Sequence, residues 1–292
     1  ANLPGAAGYG AIRPGPQAGQ LWFIEAYGTR TDVFDLASAT WQPGPTLNCD
    51  YCVPLAEDAE GRLWAGGDLG AWLFDANGDT LAYLTSGDGL PADSVYSVAI
   101  APDGTAFLQT YAGVAVYQDG AVVDVYTAES VGLSSDAVHA VWTTSDGTLW
   151  VAAEHGVSRR GNDGEWQHFD EGDPFDGDVW VEDVTEAPDG AVWVATSGEG
   201  VYRYADGEWT NYRADDATVD LPTNEVHCIS VAPDGALWFG LNYDGAARFD
   251  GDTWQAFNGE DGLIPSNVKD MVVTADGAAW FATTGGVSRY QP

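Results

Sequence analysis

Tyr96, His139, Glu182, His227 and Lys269 each stand eight residues ahead of a recurring glycine: Gly104, Gly147, Gly190, Gly235 and Gly277. The residue before each of the five is a valine: Val95, Val138, Val181, Val226 and Val268. An aliphatic frame that admits one hydrogen-bonding or ionisable side chain at a fixed offset is a way to line a polar ligand site. Two imidazoles and a carboxylate in that set also supply the parts for acid–base chemistry. The plainer reading is a position that is polar because it is solvated, and both stay open here. Ten residues before its glycine the chain places Trp180, with Tyr51 as the counterpart ahead of Gly61, where other copies carry Ser94, Ala137, Glu225 or Asn267. Rings at such a loop either stack on a ligand or brace the loop itself.

The elements that must position these residues follow from the same glycines. They stand at 19, 61, 104, 147, 190, 235 and 277, and three residues after each comes an aromatic: Trp22, Trp64, Phe107, Trp150, Trp193, Trp238 and Trp280. A unit of about 43 residues, repeated seven times, accounts for nearly the whole chain. Within one unit, residues 225–257, four short apolar or alternating runs are each closed by turn residues. Asp-Gly pairs such as Asp103-Gly104 and Asp234-Gly235 favour tight hairpins, and a second glycine after the aromatic (Gly70, Gly113, Gly156, Gly200, Gly245, Gly286) marks the next one. No segment holds a helical period over three turns. The expectation is an all-β seven-bladed propeller of four-stranded antiparallel blades, a single domain over residues 1–292. The last unit stops at Pro292 after its third strand, so residues 1–8 are expected to supply the missing outer strand and close the last blade.

Thirteen tryptophans invite a carbohydrate-platform reading, but the repeat explains most of them. Six are the aromatic after the glycine, and Trp41, Trp166, Trp209 and Trp254 fall in outer strands, where bulky rings fill the gap between blades. Trp72, Trp142 and Trp180 are left over.

Forty-five acids against ten bases give a formal charge of −35, with Lys269 the one lysine. Such a surface repels phosphate backbones and anionic membranes, which removes nucleic acid as a partner. It suits solubility, a saline setting, or the collection of cationic partners. No apolar run is long enough to span a membrane as a helix, and the Ala1-Asn2-Leu3-Pro4 start suits a mature end left after leader removal. Cys49-Asp50-Tyr51-Cys52 is read as a local disulfide of an extracytoplasmic loop, and Cys228 as a small buried hydrophobe. The acidic stretch 170–178 offers clustered oxygens of the kind Ca²⁺ takes, but without ordered ligand spacing, so no metal site and no cofactor are expected, with Ca²⁺ the one ion that chemistry would admit. The chain holds no G-x-S-x-G, no phosphate-cradling loop and no H-E-x-x-H, so no catalytic residue is named and the reading leans away from an enzyme.

Gly89-Leu90-Pro91, Gly262-Leu263-Ile264-Pro265-Ser266-Asn267, Asp146-Gly147-Thr148-Leu149-Trp150, Gly200-Val201-Tyr202-Arg203-Tyr204 and Gly285-Gly286-Val287-Ser288-Arg289-Tyr290 together resemble the two-component regulator propeller repeat. The resemblance implies a propeller of the kind found as the extracytoplasmic sensory part of bacterial hybrid histidine kinases, some of which detect glycans, or as free-standing secreted proteins. Related propellers include a lyase acting on a cyclic peptide antibiotic. The functional expectation is therefore a bacterial recognition module, extracellular, periplasmic or on the cell surface, that binds a glycan or protein partner through loops on one face. Candidate ligand-binding residues are Tyr51, Tyr96, His139, His155, Trp180, Glu182, His227, Tyr243 and Lys269. The alternatives are a lyase or hydrolase using His139, His227 and Glu182, and a structural subunit of an extracellular assembly.

Overall fold

The computed structural model describes residues 9–14, 19–25, 31–43, 53–75, 79–171, 174–175, 179–261, 263 and 267–291. They form seven sheets, and in each the order in space follows the order in sequence. The fold is an all-β seven-bladed propeller with four-stranded blades. Blade one runs Tyr9–Pro14, Gln20–Glu25, Thr31–Asp35 and Thr40–Pro43, and blade six runs Val226–Val231, Leu237–Leu241, Ala246–Phe249 and Trp254–Phe257. Blade four adds a two-residue parallel strand, Pro174–Phe175. Blade seven shows three strands among the described residues, ending with Gly286–Tyr290. The closing segment expected from residues 1–8, and the Cys49–Cys52 pair, lie outside the described residues.

The blade pattern has a physical gradient. Second strands such as Leu149–Ala153 and Leu237–Leu241 are buried along their whole length, because both faces meet neighbouring sheets. Fourth strands such as Ala121–Tyr126 are mostly exposed or part-buried. Each first hairpin closes through a glycine with left-handed backbone, as at Gly147 (φ +91°), which a side chain would strain.

The chain divides into two compact units, Ala1–Asn48 with Thr185–Pro292, and Cys49–Val184. In the first, Trp193 is fully buried, with Tyr212, Phe239, Phe249 and Trp254 around it at ring-centroid distances of 5.3 to 6.4 Å. Trp254 thus fills the space between blades five and six, the role expected of outer-strand tryptophans. A ring of this size contributes a few kcal/mol by burial alone. Blade seven meets blade one through Trp280 and Phe34 (4.8 Å), and the Ile12 backbone N–H donates to Asp270 Oδ2 at 2.9 Å. In the second unit, Trp166 packs edge-on against Tyr126 of the preceding blade at 5.2 Å. Trp72 proves to be packing, buried and stacked on Tyr83 at 4.6 Å. Cys228 is buried in the first unit's core beside Met271 and Phe281.

Short helical turns join some blades: Ser86–Asp88, Ala128–Val131 and Gly259–Asp261. Thr85 and Thr127 open the first two with reciprocal capping boxes to Asp88 and Ser130. One turn is too short to leave a helical period in the sequence, which is why that signal was silent.

Candidate recognition face

In blades three, four, six and seven the position eight residues before the glycine is where the inner strand breaks register. In blade four Val138 pairs with Ala153 and Ala140 with Ala152, so His139 is an extra residue. His227 is skipped in the same way between Val226 and Cys228, Lys269 between Val268 and Asp270, and Tyr96 between Val95 and Ser97. A β-bulge turns its extra side chain out of the ladder and frees a backbone N–H, a device common beside binding sites. This is the geometric reason a polar residue is tolerated between two buried ones.

In blade three the freed N–H is caught. Gln109, 1% exposed, accepts from the Tyr96 N–H at 3.3 Å through Oε1 and donates through Nε2 to the Val138 carbonyl of blade four. A polar side chain inside the buried strand Ala106–Thr110 therefore fixes the bulge that presents Tyr96. The Tyr96 hydroxyl donates to Asp68 Oδ1 on the blade-two turn, and its ring lies 5.5 Å from Tyr111 on the blade-three turn. Tyr96 and Tyr111 are both exposed, as is Leu69 beside Asp68.

In blade four, His139 packs against Trp180 with ring centroids 3.9 Å apart. Trp180 remains 47% exposed, so it braces its neighbour and still offers a ring to solvent. The contact accounts for the bracing reading of this tryptophan. His139 Nε2 is buried without a hydrogen-bond partner among the described residues. Burial holds this imidazole below its ordinary value, while the Glu154 and Glu182 carboxylates pull the other way. Burial therefore favours the neutral imidazole. His155 follows Glu154 on the turn and adopts a left-handed backbone at φ +76°.

The second unit thus brings together Tyr96, His139, His155, Trp180 and Glu182 of the expected residues, and adds Asp68, Tyr111, Glu154 and Gln109. Asp68 and Tyr111 share the turn position of Glu154, one residue ahead of that of His155. Gln109 was signalled by its polarity inside Phe107-Leu108-Gln109-Thr110. In the first unit, His227 and Lys269 occupy bulges, and Tyr243 sits on the blade-six turn, 69% exposed with φ +66°. Tyr51 lies outside the described residues. Three turns, the one carrying Tyr111 among them, share a lock: the buried hydroxyls of Thr110, Thr196 and Thr283 donate to the carbonyls of Gly113, Gly200 and Gly286. His155 and Tyr243 stand on turns without that threonine.

Seven repeated sheets, with side chains that vary from blade to blade at the bulges and turns, define a seven-bladed propeller. Residues 220–243 match the family model for the two component regulator propeller, so the sequence resemblance is supported at the blade-six repeat. No curated protein matches the chain significantly. Among solved structures, a streptogramin B lyase is similar with a TM-score of 0.78 and 16% identity, over 99% of this chain and 94% of that one. The extracellular domain of a putative hybrid two component system from B. thetaiotaomicron gives a TM-score of 0.80 and 17% identity over 98% of this chain. The chain spans 39% of that protein's length. YCF48 bound to D1 peptide gives 0.70 and 15%, over 99% and 93%. At these identities the likenesses establish the fold. No helix among the described residues is long and apolar enough to cross a membrane.

Proposed function

We propose that residues 1–292 act as one recognition domain of an extracellular or periplasmic protein, binding a partner at the bulge-and-turn face of the second unit. The partner is a polypeptide segment that presents cationic groups on an apolar stretch. The observation that carries this reading is the interleaving of exposed rings (Tyr96, Tyr111, Trp180) with carboxylates (Asp68, Glu154, Glu182) on that face. Aromatic faces and carboxylates together suit Lys or Arg side chains, and a net charge of −35 steers them in. Two relatives support it by analogy: one is the extracellular domain of a putative sensor, and the other is bound to a peptide.

Selection from a displayed random peptide library, run beside a glycan array, tests the proposal. Basic, apolar peptides should be enriched, their affinity should fall at least tenfold on Trp180→Ala, and it should weaken as salt rises. Enrichment of neutral peptides, or binding untouched by Trp180→Ala and Tyr96→Ala, would refute it. Glycan binding lost in those same variants would favour the glycan reading of this face.

A further inference from the structure

The cavities of the first unit repeat. Three notches, of about 470, 570 and 340 Å³, open between blades five and six, six and seven, and seven and one. Each is walled on one side by the same triad: Asp189, Trp193 and Arg203; Asp234, Trp238 and Arg248; Asp276, Trp280 and Arg289. The facing wall supplies an aromatic from one register position: Phe249 opposite Leu237, Tyr290 opposite Ala279, and Phe34 opposite Leu21.

The triads are alike in detail. Each arginine is the cross-strand partner of its tryptophan. Nη2 reaches the aspartate Oδ2 at 2.8 Å for Arg203, 2.7 Å for Arg248 and 3.5 Å for Arg289. The Arg203 and Arg289 guanidinium groups lie 5.9 and 5.2 Å from the ring centroids of Trp193 and Trp280. The fold does not require this arginine. At the same register position blades one, two and three carry Val33, Leu73 and Val116 against Trp22, Trp64 and Phe107. Blade four carries the same arginine, Arg159, 5.8 Å from the Trp150 ring centroid, so blades four to seven share it and blades one to three do without it.

The chemistry selects the occupant. An anion would face the aspartate, and a cation the arginine. A neutral ring bearing several hydroxyls satisfies both, donating to the carboxylate and accepting from the guanidinium, with its C–H face against the aromatic wall. The volumes lie within or near the range of small-molecule sites and hold a sugar ring. The geometry points to three equivalent saccharide subsites between blades five and six, six and seven, and seven and one, each taking one neutral sugar ring. Repetition at one-blade spacing turns weak single-site binding into avidity for an oligosaccharide or a clustered glycan. These subsites are separate from the peptide-binding face proposed above.

Saturation-transfer NMR and calorimetry with D-glucose, D-galactose, D-mannose, L-rhamnose and their disaccharides test this. At least one sugar should bind with a stoichiometry approaching three per chain. Arg203→Met, Arg248→Met and Arg289→Met keep the aliphatic stem and should each remove one site, weakening it tenfold or more. The triple variant should bind none while keeping its melting profile. In the unaltered protein the indole N–H resonances of Trp193, Trp238 and Trp280 should shift on sugar addition, a readout independent of how the variants fold. Trp180→Ala should leave the stoichiometry unchanged. The proposal is overturned if no sugar in the panel binds, if binding survives the triple variant, or if the three indole resonances stay still.

Discussion

Tyr243 stands at a turn tip with φ +66° and 69% of its surface exposed. A non-glycine residue in the left-handed region costs roughly 1–2 kcal/mol. Glycine removes that strain but loses about 0.5–1 kcal/mol of chain entropy on folding, so Tyr243→Gly should stabilise the fold by up to about 1 kcal/mol. Alanine keeps the strained backbone and discards the ring, which buries little here. The difference between the Gly and Ala variants therefore isolates the backbone term, at about 1 kcal/mol. For a chain of this size that corresponds to a shift of about 2 °C in Tm. Calorimetric melts of the two variants, measured together with the parent, give the number. Equal Tm values for the Gly and Ala variants would refute the strain argument. A Gly variant that melts higher yet binds partner less well would show the strain to be retained for recognition. His155→Gly against His155→Ala repeats the test at φ +76°.

Gln109→Leu strands the bulge N–H of Tyr96 and the Val138 carbonyl, and should cost about 1–3 kcal/mol and displace the Tyr96 ring; an unchanged denaturation midpoint would argue that the bulge holds itself. A methyl at Gly240 would overlap Cys228 Sγ and stand 2.6 Å from Val268 Cγ1, so Gly240→Ala should cost about 1–3 kcal/mol, with partial rescue by Cys228→Ala in a double-mutant cycle. Acid should destabilise the fold in two windows. His139 is held below its unfolded value, so the native state takes up a proton less readily, and stability falls as pH drops below about 6.5, an effect that His139→Gln should remove. The carboxyls of Asp146, Asp234 and Asp276 are also held low: Asp146 and Asp276 chiefly by Thr144 and Thr274 hydroxyls, Asp234 by the Ala236 N–H. Their contribution is present above the unfolded carboxyl pKa, near 4, and is lost below it as pH falls through the folded values. Denaturation midpoints from pH 7 to 3 resolve the two windows.

The fold was legible because its constraints are local and strict. A tight turn after the inner strand demands Gly147 and its equivalents, and a core between sheets demands Trp150 and its equivalents, so both recur at fixed spacing. The site was legible in part. The polar offset shared by Tyr96, His139 and His227 was visible, but the register shift behind it was not, since one extra residue at the same place in each of these strands leaves their spacing unchanged. The tilted contact of His139 with Trp180 joins residues of different blades, and single-chain spacing carries no sign of it. Trp72 could not be sorted from Trp180 by sequence; its partner Tyr83 lies on the adjacent strand of its own blade, and only pairing register reveals the stack.

A residue skipped by its neighbouring strand carries no obligation to the ladder. Its side chain can be exchanged while Val138 and Ala140, or Val226 and Cys228, keep their partners. These positions are therefore sockets in which charge, size and hydrogen-bonding character are free to drift at little risk to folding. Specificity in such a scaffold can be rewritten one blade at a time, by natural selection or by a designer who randomises the sockets and leaves the glycine–tryptophan frame alone.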